Sequence, residues 1–261
     1  MQKIATIVNS FANKTEIPVS FILLPNSIYI YQDKLPPNTE IYNQRDIIES
    51  FYKKLTEKIK PIHTIDMLMA NKNQYIYFKT DHHQTSLGAY LAYSAWTIQK
   101  GEIPVDLRRF EKITISENFL GTFDSKAQIY KQEPDRIDIY LNEKNLELKE
   151  VQYDTETTTN LFNEQYLSKK DKYSYFLNGN NAKVVATTNN TNGKKILIIK
   201  DSYAHIMAQF LCQDYEQLHF IDPRYYKASM TEYIKENEIT EVLFIYNISN
   251  IINDMGLLTL K

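Results

Sequence analysis

Two distant segments of the chain carry side chains whose types together suit nucleophilic catalysis. Ser202 offers a hydroxyl, His83 an imidazole, and Asp81 a carboxylate two residues before that imidazole. A serine that attacks an acyl carbon needs a base to take its proton, a carboxylate to orient the base, and donors for the oxyanion. Asn247 and the Ser202 backbone amide are the candidate donors. The sequence therefore predicts acyl chemistry at a serine, if the fold brings these segments together.

Ser202 is predicted at the point where a buried strand turns into a helix. The apolar run 196–199 is typical of a strand buried on both faces, and the apolar spacing over 203–212 is typical of a helix. A hydroxyl at the carboxyl end of a parallel strand faces the crevice in which α/β sheets bind ligands. The alternative role for Ser202, or for Asp201 beside it, is that of a helix N-cap, because both residue types are preferred there.

Asp81 and His83 are predicted on a loop that leads from a β-rich stretch, 75–78, into a helix. Residues two apart in an extended loop project to the same side, so this carboxylate and this imidazole can meet. His82 is the alternative base, or a donor beside the base.

The other histidines and the single cysteine are interpreted as structural. His205 follows Ser202 by one helical turn and is expected on the helix surface. His63 and His219 lie in or beside apolar stretches and are expected to be core histidines with hydrogen-bond partners. Cys212 is expected to pack in the core, and a single cysteine excludes an internal disulfide framework and a multi-cysteine metal site.

The elements that position these residues alternate between strand and helix. Strands are predicted at 17–24, 196–199, 217–221 and 242–245, with another strand or an approach to one at 62–67. Helices are predicted at 1–15, 46–59, 203–212 and 228–237. Such alternation calls for right-handed crossovers and a mainly parallel sheet. Ser202, Arg224 and Asn247 then fall at strand carboxyl ends on one edge of that sheet.

Residues 104–195 differ in character from the segments on either side. They contain short β-like pieces, many Asn, Thr and Lys residues and few long helical patterns. We expect a β-rich region inserted into a single domain over 1–261 and packed on its core, where it shapes a substrate groove. Within this region, 154–160 is expected to be a mobile loop.

Charge and hydropathy exclude some classes of protein. The net charge is −2 and no basic run stands out, so no nucleic-acid partner is expected. No segment approaches the roughly 18 to 20 apolar residues of a membrane span. Because residues 1–15 already have helical spacing, we expect an excised domain whose N-terminal membrane anchor is absent from this chain.

The same residues resemble the SGNH (GDSL-type) hydrolases and acyltransferases, which carry a Gly-Asp-Ser motif, a later Asn, and an Asp–His pair followed by Gly. The matching residues, in circularly permuted order, are Lys200-Asp201-Ser202, Asn247, Asp81-His82-His83 and Gly88. The permutation and the Asp-His-His string are similar to the DHHW family and its alginate-acetylating relatives. Further matching segments are Leu24-Pro25, 119–122, 200–204 and 222–226. Gln84 departs from the family, which has Trp in that position.

The resemblance implies an SGNH-like three-layer α/β/α fold and a reaction. That reaction is O-acylation, expected to be O-acetylation, of hydroxyls on a bacterial cell-surface or exported polysaccharide through a serine acyl-enzyme. A membrane-bound O-acyltransferase would deliver the acyl group at the extracellular face of the membrane. Two alternatives stay open: a carbohydrate acetylesterase with the same triad, and a non-catalytic glycan-binding or assembly module on this fold.

Several further residues are candidates for binding substrate or the oxyanion. Arg224 suits recognition of a carboxylate or an acyl donor, with a surface salt bridge as the alternative. Gly179 and Asn180 resemble a Gly-Gly-Asn element of the family and offer a donor near the oxyanion, or form only a turn. The remaining candidates are Tyr203, Gln84 and His82. Loss of the family Trp at Gln84 removes an expected stacking contact beside the triad.

A metal site is the last alternative, because Asp81-His82-His83 superficially resembles the DHH phosphoesterases. Those enzymes hold two metal ions with further aspartate clusters. The sequence has no such clusters upstream. No metal and no cofactor are therefore expected.

Overall fold

Strands and helices alternate along the protein, which a computed structural model describes over residues 1–127, 131–145, 147–253 and 256–260. The strands are β1 (Val19–Leu24), β2 (Ile59–Ile62), β3 (Glu111–Phe119), β4 (Asp135–Leu141), β5 (Glu150–Gln152), β6 (Thr157–Thr158), β7 (Lys183–Thr187), β8 (Lys195–Lys200), β9 (Gln217–Ile221) and β10 (Glu241–Asn247). The α-helices are α1 (Gln2–Asn13), α2 (Ser27–Ile30), α3 (Gln44–Tyr52), α4 (Ile65–Ala70), α5 (Ser86–Gln99), α6 (Thr122–Ala127), α7 (Ala208–Leu211), α8 (Met230–Glu236) and α9 (Ile248–Asn253). Short 3₁₀ helices lie at Gln32–Lys34, Leu107–Arg109, Glu164–Ser168, Lys172–Tyr175, Ser202–Met207 and Leu257–Thr259.

Eight of the described strands form one sheet in the order β2-β1-β10-β8-β9-β7-β5-β6. The first five strands of this order run parallel, and β7, β5 and β6 pair antiparallel at one end. Strands β1 and β10 are buried at every residue, as expected for continuous apolar strands covered on both faces. The predicted mainly parallel sheet is therefore confirmed.

Aromatic side chains fix helices α1 and α3 on the sheet. Phe244 of β10 stacks on Phe21 of β1 with ring centroids 5.1 Å apart. Phe11 of α1 meets Phe244 edge-on at 5.7 Å, and Phe51 of α3 meets Phe21 at 5.1 Å. Aromatic pairs in these geometries stabilise a core beyond their buried area. With the buried helix α5 packed against β2 and Ser202–Met207, the chain has the predicted α/β/α architecture.

The carboxyl ends of four parallel strands meet at one edge of the sheet. Strands β1, β8, β9 and β10 end at Leu24, Lys200, Ile221 and Asn247. The residues that follow these strands, including Ser202 after β8, therefore lie at the edge where α/β sheets bind ligands.

The predicted inserted region, 104–195, divides into two parts. Strands β3 and β4 form a separate antiparallel pair, whereas β5, β6 and β7 extend the main sheet. Residues 128–130 and 146 of this region lie outside the described residues. The stretch 154–160, expected to be a mobile loop, contains β6, and the Asp154 carboxylate accepts two backbone hydrogen bonds.

Three local predictions were wrong in their bounds. The helix predicted over 46–59 ends at Tyr52, and the strand predicted at 62–67 is β2, Ile59–Ile62, followed by helix α4. Pro61 is tolerated inside β2 because that strand lies at the sheet edge and pairs only with β1. The helix predicted over 203–212 is a 3₁₀ turn followed by the short α7.

Candidate active site

The structure brings Ser202, His83 and Asp81 into one hydrogen-bonded chain. The Ser202 hydroxyl lies 2.8 Å from His83 Nε2, across 119 positions of sequence. His83 Nδ1 lies 2.6 Å from Asp81 Oδ1. Because an ionised carboxylate only accepts, Nδ1 carries the proton and Nε2 is left to accept from the serine hydroxyl. Asp81 and His83 are buried, and Ser202 is half-buried.

The loop that carries Asp81 and His83 is held by a buried carboxylate, Asp135, at the start of β4. Its oxygens accept from the Lys79 and Thr80 backbone amides at 2.9 and 2.7 Å, and from the Thr80 hydroxyl at 2.7 Å. The Tyr75 hydroxyl also donates to Asp135, at 2.6 Å. Sequence reasoning missed Asp135, because no local pattern distinguishes this aspartate from a surface one.

The Asp81 carboxylate is satisfied on both oxygens. The Thr122 backbone amide and hydroxyl donate to Oδ2 at 2.8 and 3.0 Å, while His83 donates to Oδ1. Burial alone would raise the pKa of Asp81, but the hydrogen bond and charge of His83, with the other donors, hold that pKa well below its usual range. Gly121 lies so close that a Cβ there would be 2.3 Å from the Asp81 Cβ. The carboxylate is therefore ionised and sterically fixed.

Asp201 is the N-cap of the 3₁₀ helix that begins at Ser202. Its carboxylate accepts from the Tyr203 backbone N–H at 2.9 Å, from the Asn247 backbone N–H at 2.8 Å and from the Asn250 side-chain Nδ2 at 2.9 Å. Burial raises the pKa of Asp201, and these donors oppose the shift. Because Asp201 caps the turn, the Ser202 hydroxyl is left to bond His83.

Tyr173 lies over the face of the His83 imidazole. The two rings are nearly parallel, at 6°, with centroids 3.6 Å apart. The Tyr173 hydroxyl donates to the Ser202 carbonyl oxygen at 2.9 Å, and burial raises the pKa of that hydroxyl, which keeps it protonated. Tyr173 therefore contacts both the imidazole and the backbone of Ser202. Sequence reasoning missed this residue, which lies among many other tyrosines of the inserted region.

His82 and Tyr203 lie beside the triad without entering it. The His82 ring is tilted on His83 with centroids 3.8 Å apart, and its Nδ1 lies 2.7 Å from the Thr122 hydroxyl. Burial, then the nearby His83 imidazole, lowers the pKa of His82 to about 4. The Tyr203 hydroxyl donates to the His82 carbonyl oxygen. His82 lines a cavity of about 450 Å³ that also includes Asn247.

Asn247, predicted as an oxyanion donor, lies at the edge of the site with its side chain already bonded. Its Nδ2 donates to Asn26 Oδ1 and to the Leu24 carbonyl oxygen. Asn26 follows β1 and lines the same cavity. The sequence analysis did not select Asn26, although its position directly after a buried strand was a usable signal.

Four further candidates lie away from the serine hydroxyl. Arg224 forms a two-pronged ion pair with Asp222, at 2.9 and 2.6 Å. Asp222 is fully buried, so this pair differs from the expected surface salt bridge. Gly179 adopts a turn with φ of 73° against Ser174, and Asn180 is exposed. Within the described residues, no hydrogen bond joins Gly179 or Asn180 to the triad. Gln84 is buried, and its Nε2 donates to the Tyr77 hydroxyl at 3.2 Å.

The expectation that His205 lies on a helix surface was wrong. His205 is 2% exposed, and its Nε2 lies 2.8 Å from Lys200 Nζ. Lys200 in turn lies 3.7 Å from Asp222, so Lys200, His205, Asp222 and Arg224 form what we call the buried ionic cluster. Burial lowers the pKa of Lys200 to about 8, although Asp222 opposes that shift. Burial and the Lys200 ammonium hold the pKa of His205 well below its usual range.

The predictions that His219, His63 and Cys212 lie in the core were confirmed for His219 and Cys212 and wrong for His63. His219 is buried and bonds the Tyr233 hydroxyl at 2.7 Å, as predicted for a core histidine. His63 is exposed instead, and its Nδ1 lies 2.9 Å from Glu49. Cys212 is fully buried, as predicted.

Asp81, His82 and His83 also form a group of three possible metal ligands, whose ligand atoms lie within 4.8 Å of one another. The facing atoms are already used in hydrogen bonds: Asp81 with His83 and Thr122, and His82 Nδ1 with Thr122. The arrangement suits proton transfer along the chain from Ser202 to His83. A metal ion would compete with each of these bonds.

The chain was compared with protein families, curated proteins and solved structures. The family described as DHHW protein matches residues 2–221. Among curated proteins, no sequence matches the chain. Within the described residues, no helix is long and apolar enough to cross a membrane.

Solved structures share this fold over nearly the whole chain. A DHHW family protein from Eubacterium siraeum is 28% identical, with a TM-score of 0.87 that covers 99% of this chain and 88% of that one. Bacillus cereus PatB1, solved with a sulfonyl adduct, is 22% identical, with a TM-score of 0.82 over 99% and 89% of the two chains. The O-acetyltransferase domain of Pseudomonas putida AlgJ is 11% identical, with a TM-score of 0.55 over 96% and 81%.

Proposed function

The chain belongs to the DHHW family, and from this membership and the geometry of its site we propose that it is a serine O-acyltransferase. It transfers acyl groups, expected to be acetyl, to hydroxyls of a bacterial cell-surface or exported polysaccharide. The observation that carries the proposal is the continuous hydrogen-bonded chain from Ser202 through His83 to Asp81. The likeness to an O-acetyltransferase domain and to a protein that takes a sulfonyl adduct supports it.

In the first half of the reaction, His83 Nε2 takes the Ser202 proton while the serine oxygen attacks the acyl carbonyl. The bond between the acyl carbon and the donor's oxygen then breaks, and His83 returns the proton to the departing oxygen. The product is an acyl ester on Ser202. Asp81 holds the imidazole in the required tautomer and stabilises the imidazolium that forms.

In the second half, a sugar hydroxyl replaces the donor. His83 takes the proton of that hydroxyl as its oxygen attacks the acyl-enzyme, and the proton returns to Ser202 when the ester bond to the serine breaks. Asn247 and the Ser202 backbone amide remain our candidates for stabilising the oxyanion. Asn247 lines the cavity beside the triad, and its amide would have to turn from Asn26 to serve this role.

We also propose the setting of this reaction. A membrane-bound O-acyltransferase supplies the acyl group, and the protein acts at the extracellular face of the membrane. Both points derive from the family resemblance.

Acyl-enzyme formation tests the chemistry directly. The protein is treated with p-nitrophenyl acetate, and separately with a sulfonyl fluoride, and its intact mass is measured together with the burst of nitrophenol. The native protein is expected to gain one group on Ser202, and Ser202→Ala none. His83→Ala is expected to react about 10³-fold more slowly. His63→Gln, which changes an exposed histidine, is the matched control.

Adding an oligosaccharide acceptor separates the alternatives. Acetylated sugar supports the transferase, whereas release of acetate alone supports the carbohydrate esterase, in which water resolves the acyl-enzyme. A folded native protein that gains no group from either reagent contradicts the proposal and favours the non-catalytic glycan-binding or assembly module.

A further inference from the structure

A cleft on the surface leads away from the triad and consists of two adjoining cavities. The smaller, of about 450 Å³, includes His82, and the larger has a volume of about 620 Å³. Both are lined by Ser27, Ile28 and Phe123, which therefore form the boundary between them. We call the two cavities together the basic cleft.

The basic cleft adjoins the triad at its smaller end. His82 lies against the His83 ring, with centroids 3.8 Å apart. Asn247 and Asn250, which also line this cavity, both donate to the Asp201 carboxylate next to Ser202. The smaller cavity therefore lies next to residues that contact His83 and Asp201, which are the hydrogen-bond partner and the chain neighbour of Ser202.

Lysines, and no carboxylates, line the basic cleft in the described part of the protein. Lys126 lines the smaller cavity, and Lys34, Lys72 and Lys79 line the larger one. This one-sided charge occurs in a chain whose net charge is −2. A cleft lined by one sign of charge attracts ligands of the opposite sign.

Carboxylates outside the lining balance only part of this charge. Lys72 pairs with Asp33 at 3.0 Å, and Lys79 lies 3.7 Å from Glu133. Lys34 and Lys126 have no carboxylate within ion-pair distance among the described residues, and Lys34 lies over the Tyr31 ring instead. Exposed pairs such as these are weak and exchange readily with a ligand.

Apolar and aromatic surface accompanies the lysines. Ile28 and Phe123, at the boundary, are 42% and 41% exposed. Tyr31 and Tyr75 line the larger cavity and are half-buried. Such rings offer flat contact area with a polar edge, which suits the faces of sugar rings better than it suits a flexible chain without rings.

We propose that the acceptor is an acidic polysaccharide, a chain of sugar rings that carries carboxylates, and that it binds along the basic cleft. This inference rests on the proposed function and adds the substrate class. One sugar presents its hydroxyl to Ser202 from the smaller cavity, and the sugars next to it lie in the larger cavity. Their carboxylates meet the lysines, and their ring faces contact Phe123 and Tyr31.

Binding is measured on the full chain with Ser202→Ala, so that no turnover occurs. The probes are oligogalacturonate and oligoglucuronate of equal length, each beside its methyl ester, which removes the charge and keeps the backbone. The acidic form is expected to bind about tenfold more tightly than the ester, as two exposed ion pairs allow. Added salt should reduce this difference.

Variants locate the binding site. Lys72→Gln with Lys79→Gln, and Lys34→Gln with Lys126→Gln, are each expected to weaken binding of the acidic form about threefold and to leave the ester unaffected. Phe123→Ala should weaken both forms. Lys58→Gln with Lys60→Gln makes the same charge change in a different cavity, lined by Pro18 and Thr240, and should change neither.

Three results would overturn the inference: no binding of either acidic oligomer at millimolar concentration, equal binding of acid and ester, or equal losses in the control pair. Equal binding would indicate a neutral glycan. Because binding is measured without the serine and acyl-enzyme formation is measured without a glycan, failure of this inference and failure of the proposed function are distinguishable.

Discussion

His83 and His205 are both buried beside Ser202, yet their surroundings give them opposite roles. His83 has a carboxylate on one ring nitrogen and the serine hydroxyl on the other. His205 has the Lys200 ammonium on Nε2, and in the described part of the chain its Nδ1 has no hydrogen-bond partner. A carboxylate supports the imidazolium that a base must form, whereas an ammonium opposes it. The partner of the histidine, more than its burial, decides which one can act as a base.

Changing Asp81 beside His83 and Asp222 in the buried ionic cluster to Asn should therefore affect different quantities, the acylation rate and the free energy of unfolding. Asp81→Asn leaves the wrong tautomer of His83 and should slow acyl-enzyme formation about 10³- to 10⁴-fold. Asp222→Asn leaves Lys200 and Arg224 without their buried partner and should lower the free energy of unfolding by about 3 kcal/mol. Burst kinetics and denaturant unfolding are measured on both variants. Equal effects on rate would show that the buried ionic cluster takes part in the reaction.

Substitutions at two glycines should also separate an effect on the acylation rate from an effect on stability. A Cβ at Gly121 would press on the Asp81 side chain, and a Cβ at Gly88 would lie 2.1 Å from the Ile76 carbonyl oxygen. Gly121→Ala should lower the acylation rate about 10- to 100-fold by displacing the carboxylate, since small misplacements of catalytic groups are costly. Gly88→Ala should mainly lower stability, by about 2 kcal/mol, because backbone must move. Rates and thermal unfolding of both variants check this. Gly121→Ala at full rate would show that Asp81 has freedom to shift.

Tyr173 connects the two histidines, because its ring is nearly parallel to both and its hydroxyl holds the Ser202 backbone. Tyr173→Phe removes only that hydrogen bond and should slow acylation about threefold. Tyr173→Leu also removes the ring and should slow acylation about tenfold, because the imidazole is less well oriented. The two variants are compared by burst kinetics. An unchanged rate in Tyr173→Leu would mean that Asp81 alone orients His83.

The smallest effect expected on activity is that of Lys200→Met, whose main effect should be on the pH dependence of stability. The pKa of Lys200 is about 8 in the folded protein and about 10.4 when unfolded. Between these values the unfolded state binds more protons, so this group makes stability rise as pH rises. The native protein should gain about 2 kcal/mol relative to Lys200→Met between pH 8 and 10. Denaturant unfolding at both pH values checks this, and parallel pH curves would contradict it.

The sequence predicted the elements of this site whose signals are local. The run 196–199 placed Ser202 at a strand end, and the two-residue spacing placed Asp81 beside His83. The mainly parallel sheet followed from the same apolar runs. Strand β2 was misplaced, because proline is disfavoured inside a strand in general but Pro61 is tolerated at the sheet edge.

The missed residues are those whose roles depend on contacts between distant segments. Asp135 bonds a loop 55 positions away, and Tyr173 reaches His83 from the inserted region. Tyr173 stacks on the His83 ring from a different part of the chain, whereas Gln84, at the position of the family Trp, bonds the Tyr77 hydroxyl. The spacing of apolar residues along the sequence gives no information about such contacts between distant segments. Likewise, His205 follows a helical spacing, but the segment is a 3₁₀ turn, which changes the face on which the ring lies.

Strand β10 lies between β1 and β8, although it is the last strand of the described chain. A nascent polypeptide that has not yet reached residue 247 lacks the partner that joins β1 to β8. It also lacks the Asn247 backbone N–H that donates to the Asp201 carboxylate beside Ser202. The turn that carries Ser202 is therefore held in place only when a segment 46 positions further along the chain has docked beside it. Removal of β10 is expected to separate β1 from β8 and to leave this turn without its anchor.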